Sequence, residues 1–310
     1  MASIPSACVN WEGCQQEKNR WRRRAHSRKQ ISLMLTSLAD RCADFLFATK
    51  RCVFGCHRVR RARLYCVGTG KSGTHSIASM FSKNVRTGHE PEAVPLMEKF
   101  IAWKGGRLEE AQFTQWLRAR DRRLALEVDS STLNRDIAGI LVREFPRARF
   151  VLTIRDCYSW CNSHMNHVIR YSQKMHPLWN EVRNWRMGPE AYPHAPQDGM
   201  LQEHGLRSLE YYFAYWAWHN TTMLEQVPQD RLLIVRTNEI GKRAFEIAEF
   251  AGLPRRTVRV ERTHEFRNTG KQQILRQIDG EFVEATAERH CRPLMERFFP
   301  EIRSLNEAKL

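Results

Sequence analysis

The stretch Leu64-Tyr65-Cys66-Val67-Gly68-Thr69-Gly70-Lys71-Ser72-Gly73-Thr74-His75-Ser76 decides how the rest of this 310-residue chain is read. An apolar run passes through three glycines in six residues and enters Ser76-Ile77-Ala78-Ser79-Met80-Phe81, where Ile77, Met80 and Phe81 recur at helical spacing. The order is strand, tight loop, helix. Such a loop can turn several backbone N–H groups toward one point at the positive end of a helix, and that geometry is an anion site. Lys71 adds a full positive charge, while Ser72, Thr74 and His75 add side-chain donors. The loop reads as a cradle for a phosphate-like group.

The nucleoside-triphosphate P-loop, Gly-x-x-x-x-Gly-Lys-Ser/Thr, is the obvious comparison. Gly70-Lys71-Ser72 fits its end, but its first glycine would fall on Tyr65, inside the strand. The loop is too short to wrap a triphosphate in the usual way.

Length and ordinary hydrophobic content predict one large α/β domain with extensions. The formal charge of +16 implies polyanionic partners. Residues 1–61 hold 13 Lys+Arg against 4 Asp+Glu, a net of +9, which leaves +7 for the remainder. A basic N-terminal extension, partly disordered or helical, is therefore set against a domain over 62–310. Nine irregularly spaced cysteines do not form a secreted disulfide framework, and scattered thiols point to a reducing, cytoplasmic compartment. Cys52-x-x-x-Cys56-His57 and Cys157-x-x-x-Cys161 lack the further ligands that zinc needs. No run of 18 uninterrupted apolar residues suggests a membrane span. Ile31–Ala48, after Trp21-Arg22-Arg23-Arg24, has the composition of an amphipathic helix on an anionic membrane, or of one packed on the domain.

Along the domain, strands are expected at Arg63–Val67, Val85–Gly88, Arg123–Val128, Arg149–Ile154 and Arg231–Val235. Helices are expected from the loop to about Ser82, over Glu109–Arg120, Arg135–Glu144, Ser208–Gln226 and Lys242–Ala251. Alternation of the two predicts a three-layer α/β fold, a central parallel sheet of about five strands flanked by helices. Arg149–Ile154 is near-continuously apolar, as a buried parallel strand should be, and it delivers Arg155-Asp156 at its carboxyl end, where ligand chemistry gathers. Lys174–Gly205 loses its periodicity among Pro, Gly, His and Trp and reads as a substrate-facing insertion or lid. The aromatics of the long helix (Tyr211, Tyr212, Phe213, Tyr215, Trp216, Trp218) read mainly as core.

Gly70-Lys71-Ser72-Gly73-Thr74 after a strand, and Phe150-Val151-Leu152-Thr153-Ile154-Arg155-Asp156 followed by Ser163, together resemble the sulfotransferases that use 3′-phosphoadenosine 5′-phosphosulfate (PAPS). The resemblance spans roughly residues 62–255 and implies a P-loop-like fold. It assigns Lys71 to the 5′-phosphosulfate and its leaving oxygen, and Ser72, Gly73 and Thr74, with Gly70 and His75 beside them, to the 5′-phosphate. Arg155 and Ser163 would hold the 3′-phosphate, for which a permanently charged, forked guanidinium is suited. The acceptor hydroxyl must lose a proton, and Glu90, at the end of the second strand, is the candidate base, with His89 and Glu92 as alternatives. Gly270 and Lys271 correspond loosely to the late loop that closes on the 3′-phosphate. Cys157 stands where many members have proline, and Glu127-Val128-Asp129-Ser130 lacks the lysine of a similar stretch in heparan-type members.

The resemblance implies transfer of a sulfuryl group from PAPS to the hydroxyl of a sugar, lipid or small metabolite, with no metal required. Trp160, Trp179 and Trp185 are candidates to shape the acceptor pocket. A nucleotide donor and a hydroxyl-bearing acceptor are the expected partners, with an anionic membrane surface as a further one and no nucleic acid. Two other readings stay open: an ATP-dependent P-loop kinase, with Asp129 as its metal-binding carboxylate, and a non-catalytic polyanion- or membrane-surface-binding protein on the same fold.

Overall fold

The computed structural model describes residues 60–81, 84–188, 191–264 and 272–310. The expectations for the basic N-terminal segment, Arg60 and Arg61 excepted, and for Gly270 and Lys271 lie outside the described residues. The strands are β1 (Leu64–Cys66), β2 (Thr87–His89), β3 (Val128–Ser130), β4 (Arg149–Ile154) and β5 (Leu232–Arg236). They form one parallel sheet in the order β2-β3-β1-β4-β5. Cys66 sits opposite both Ser130 and Val151, so the ends of β3 and β4 flank the exit of β1. The connection between β3 and β4 crosses β1, which makes this exit the point where an open parallel sheet forms its ligand crevice.

The helices are α1 (Thr74–Ser79), α2 (Ala93–Lys104), α3 (Glu110–Leu124), α4 (Ala138–Glu144), α5 (Cys157–Tyr171), α6 (Leu178–Met187), α7 (Gly199–Glu203), α8 (Leu209–Gln226), α9 (Ala244–Ala251) and α10 (Gly280–Phe298). Strand alternation sends Tyr65, Phe150 and Leu152 to the face covered by α2, α3 and α4, and Leu64, Cys66 and Val151 to the face covered by α1 and α9. With both faces covered, the expected three-layer α/β architecture is the one observed. A third apolar cluster joins α5, α8 and α10, and there Tyr211, Tyr212, Phe213, Tyr215 and Trp216 are buried as core.

Two expectations are corrected, and two helical segments appear that the sequence did not mark. The third strand begins at Val128, because α3 runs on to Leu124 and ends on Ala125 at φ 43°, whose N–H bonds the Asp121 carbonyl at 2.8 Å. The apolar spacing of Leu124, Leu126 and Val128 imitates a strand across that helix end. The helix after β3 starts at Ala138, since Ser131 caps a preceding 3-10 turn, Thr132–Arg135. Helix α2 shows no single stripe in sequence because its buried residues come as the pairs Leu96-Met97 and Phe100-Ile101. The 174–205 segment is not structureless: it carries α6 and α7. Val182 is the one buried residue of α6, which is too little to print a period on the sequence. Instead α6 is docked by charge, with Arg186 forking onto Asp136 at 2.6 Å, both side chains buried.

Candidate functional site

The described donor-site candidates and Glu90 follow the carboxyl ends of β1, β2 and β4. The loop after β1 bends through Lys71 at φ 70° and Gly73 at φ 104° before α1. A non-glycine residue in the left-handed region costs on the order of 1–2 kcal/mol, and such strain concentrates at functional positions. Helix α1 is only 6 residues long and no side chain caps it, so its macrodipole is weak and the positive character of the site comes from formal charges.

The loop is held from beneath and from the side. Ser72 is fully buried, its hydroxyl donating to the Thr69 carbonyl at 2.7 Å and lying 2.9 Å from Thr153 Oγ1. Its side chain is a brace, with the neighbouring backbone left to face the crevice. Gly68 is required at the same contact: a Cβ there would lie 2.0 Å from Thr153 Oγ1 and 2.7 Å from the Thr153 carbonyl oxygen. His219 Nε2 donates to the Val67 carbonyl at 2.8 Å, and the Trp160 indole N–H donates to the Gly70 carbonyl at 2.8 Å. Trp160 therefore fastens the loop to α5. Trp179 packs on the core between α2 and α3, and Trp185 is exposed. Neither His219 nor Trp160 stands out in sequence as a loop brace, because both sit in helices rich in other aromatic residues.

Arg155 leaves the end of β4 and donates from Nε to Ser159 Oγ at 2.8 Å. Asp156 caps α5, accepting from Ser159 N at 2.8 Å and from the Ser159 hydroxyl. An ion pair between Arg155 and Asp156 is not what occupies either group. Ser163 is buried one turn beyond Ser159, on the same helix face as the Arg155 contact. Burial lowers the Arg155 pKa, and burial together with the Arg155 charge lowers that of Lys71. Lys71 and Arg155 thus repel each other across the crevice, and among the described residues neither makes an ion pair. The Lys71 charge is also felt by His89, His164 and His167. Burial drives the His164 and His167 imidazoles down to about 3 and about 4, so they are neutral at physiological pH, and the His89 ring, on a residue that stays solvent-exposed, is lowered in the same direction.

On the opposite wall, β2 ends at His89 and the chain turns through Glu90 at φ 48°. The Glu90 carboxylate accepts from Thr132 N at 2.9 Å and from the Ser131 hydroxyl. Burial nonetheless raises its pKa, the two donors opposing the shift only in part. His75 stacks on His89 with ring centroids 4.4 Å apart, and Thr74 Oγ1 lies 3.3 Å from His89 Nε2. Glu92 is bound by Arg123 at 2.6 Å, with Arg120 at 3.8 Å, so its charge is already matched. Asp129 is likewise taken, paired with buried Arg120 at 2.9 Å and accepting from Asn134 Nδ2 at 3.2 Å. The site thus brings Lys71, Arg155 and a raised-pKa carboxylate to one sheet edge. That set can bind a multiply charged anion and take a proton from a neighbour.

A family model described as a sulfotransferase domain matches residues 63–254. Among solved structures, the chain is similar to a sulfotransferase from Alicyclobacillus acidocaldarius at 14% identity, covering 77% of this chain and 96% of that one, with a TM-score of 0.45. A sulfotransferase from Mycobacterium avium is similar at 13% identity, covering 78% of each chain, with a TM-score of 0.46. No curated protein matches the sequence. The two structures are too remote to add to the assignment, whereas the family match covers more than half of the chain and contains the loop, Glu90, Arg155 and Ser163. The chain belongs to the sulfotransferase domain family.

Proposed function

We propose that the protein transfers a sulfuryl group from PAPS to an acceptor hydroxyl. The observation that carries this reading is the convergence of Lys71 and Arg155, two half-buried cations that make no ion pair among the described residues, on the exit of β1. Bringing like charges together out of water is unfavourable unless an anion fills the space between them. A nucleotide bearing phosphate groups at both ends would supply that negative charge, and the donor set consists of cations and hydroxyls suited to oxyanions.

The bound donor supplies the sulfuryl group. On the protein side, Arg155 and Ser163 hold the 3′-phosphate, and the backbone of Gly70, Gly73 and Thr74, with His75, faces the 5′ side. Lys71 Nζ neutralises the oxygen that leaves. Glu90 takes the proton of the acceptor hydroxyl: each of its oxygens has a lone pair left after the bonds from Ser131 and Thr132. Sulfuryl transfer asks mainly for positioning and charge stabilisation, and fixed groups provide both. Gly270 and Lys271 remain candidates for closing over the 3′-phosphate, and the basic N-terminal segment for contact with an anionic membrane surface. The kinase reading loses its carboxylate, since Asp129 is held by Arg120.

Calorimetric titration of the chain with adenosine 3′,5′-bisphosphate beside ATP–magnesium tests the donor. The bisphosphate should bind without metal, and Arg155→Ala should weaken it by about 1.5–3 kcal/mol, as for a charged hydrogen bond. Tighter binding of ATP, or indifference to Arg155→Ala, rejects the reading.

A further inference from the structure

Between α5, α6 and α8 the fold holds a cavity of about 510 Å³. Arg183, Arg186 and Arg207 line it together with His164, and none of the described residues that line it is acidic. The three arginines differ in what they already hold. Arg186 is neutralised by Asp136 and also meets Tyr215 Oη at 3.2 Å. Arg207 reaches Asn184 Oδ1 at 3.0 Å and lies over the Tyr211 ring. Arg183 donates to Asn180 Oδ1 at 2.9 Å and to the Met175 sulfur at 3.4 Å, both neutral groups. Burial lowers its pKa, and the full charge acting on it is the repelling one of Arg186. A guanidinium taken partly out of water without a carboxylate is half of an ion pair.

His164 ties this cavity to the donor crevice. The residue is half-buried, and its shielded Nδ1 has no hydrogen-bond partner among the described residues. Its ring lies 5.0 Å from that of Trp160, whose indole holds the Gly70 carbonyl, and the Lys71 charge reaches it. His164 thus both lines the cavity and packs on the residue that holds the donor loop, while Arg183 stands on the insertion helix.

We propose that this cavity is the acceptor site and that it selects a small hydroxylated molecule carrying a compact oxyanion (a carboxylate, phosphate or sulfate), with Arg183 as the counter-ion and His164 Nδ1 as a polar contact. This rests on the sulfuryl-transfer reading and narrows it: of sugar, lipid and small metabolite, an anionic metabolite fits the charge and the volume. Pockets of this size enclose drug-sized ligands, and Tyr211 and Tyr212 offer ring faces for the remainder of such a molecule.

The test compares two probes of one shape, 4-hydroxyphenylacetate and 4-hydroxyphenylacetamide, by calorimetry on the full chain saturated with adenosine 3′,5′-bisphosphate. The acid should bind about ten times tighter than the amide or more. Arg183→Gln should bring the acid to the level of the amide, while Arg183→Lys, which keeps the charge, should retain most of the difference. Unaltered binding of the bisphosphate by Arg183→Gln shows that this variant folds; should it fail to fold, the parent and Arg183→Lys carry the comparison. Equal binding of acid and amide, binding of neither, or a preference that survives Arg183→Gln overturns the proposal. If the bisphosphate does not bind but the acid does, the donor assignment falls and the oxyanion pocket stands.

Discussion

Glu90 and Lys71 are two of the four described non-glycine residues with positive φ, Lys71 in the loop after β1 and Glu90 directly after β2. Their ionisation is set in opposite directions by the same cause. Burial disfavours charge, so the Glu90 carboxyl is pushed up and the Lys71 ammonium down. A base must be ionised to act, so kcat/KM should rise with pH through the raised Glu90 pKa, placing the acid limb above the ordinary carboxylate range. Glu90→Gln should cut kcat by at least ~100-fold, the lower end of what general-base catalysis contributes, and leave bisphosphate affinity in place. An acid limb within the ordinary range, or one that persists in the variant, removes Glu90 from this role. The stability consequence has a definite sign. A carboxyl whose folded pKa is raised weakens the fold above its unfolded pKa and has no effect below it. The Glu90→Gln protein should therefore melt no lower than the parent at neutral pH. Lys71→Ala should mainly slow turnover, and an unchanged kcat would contradict its place at the leaving oxygen.

The loop between β1 and α1 is shaped less by its own residues than by those it touches. Thr153 from β4 occupies the space that a side chain at position 68 would need, so Gly68→Ala should destabilise the chain by roughly 1–3 kcal/mol and weaken the bisphosphate as the loop shifts. A denaturation midpoint equal to that of the parent would show that the contact yields freely. These dependences explain what was readable in the sequence. The glycine pattern announced the loop, the apolar run of β4 announced a buried parallel strand, and Arg155 followed from its place after that strand. Ser72 looked like a ligand because the motif is local, yet its hydroxyl answers to Thr153, 81 residues away. The cavity arginine went unremarked for a related reason: Arg183 lies in a segment with no period, where only the docked helix gives it a direction. That docking is itself testable. Asp136 is buried, and burial would raise its pKa, but the Arg186 charge and hydrogen bonds hold it below the ordinary value. This stability is present above the unfolded carboxyl pKa and is lost as pH falls through the folded one. Arg186→Leu should cost about 2–4 kcal/mol near neutral pH, because it strips buried Asp136 of its closer partner and leaves it only Arg135 at 3.2 Å, and less in acid. A loss that does not shrink in acid would assign the effect to packing alone.

Charge is unevenly distributed along this chain. More than half of the formal excess belongs to residues 1–61, while the site draws on single cations at one sheet edge. The boundary can be placed by its ion pairs. Arg60 and Arg63 share Asp121 on α3 at 2.8 Å each, and Arg61 holds Glu127 at 2.7 Å, so the approach to β1 is bound into the domain from Arg60 onward. Within the described residues no helix is long and apolar enough to cross a membrane. Any attraction of the chain's basic residues to an anionic surface is additive over those residues and screened by salt. A chain beginning at Val59 keeps these ion pairs and should melt close to the parent. It should bind adenosine 3′,5′-bisphosphate with the parent's affinity and lose most of the salt-sensitive binding to vesicles of anionic lipid. Retained vesicle binding would move the attraction to the domain surface, where the net charge is +7 over residues 62–310. Loss of the nucleotide on truncation would mean instead that the basic segment contributes to the donor site, and the two parts would have to be treated as one.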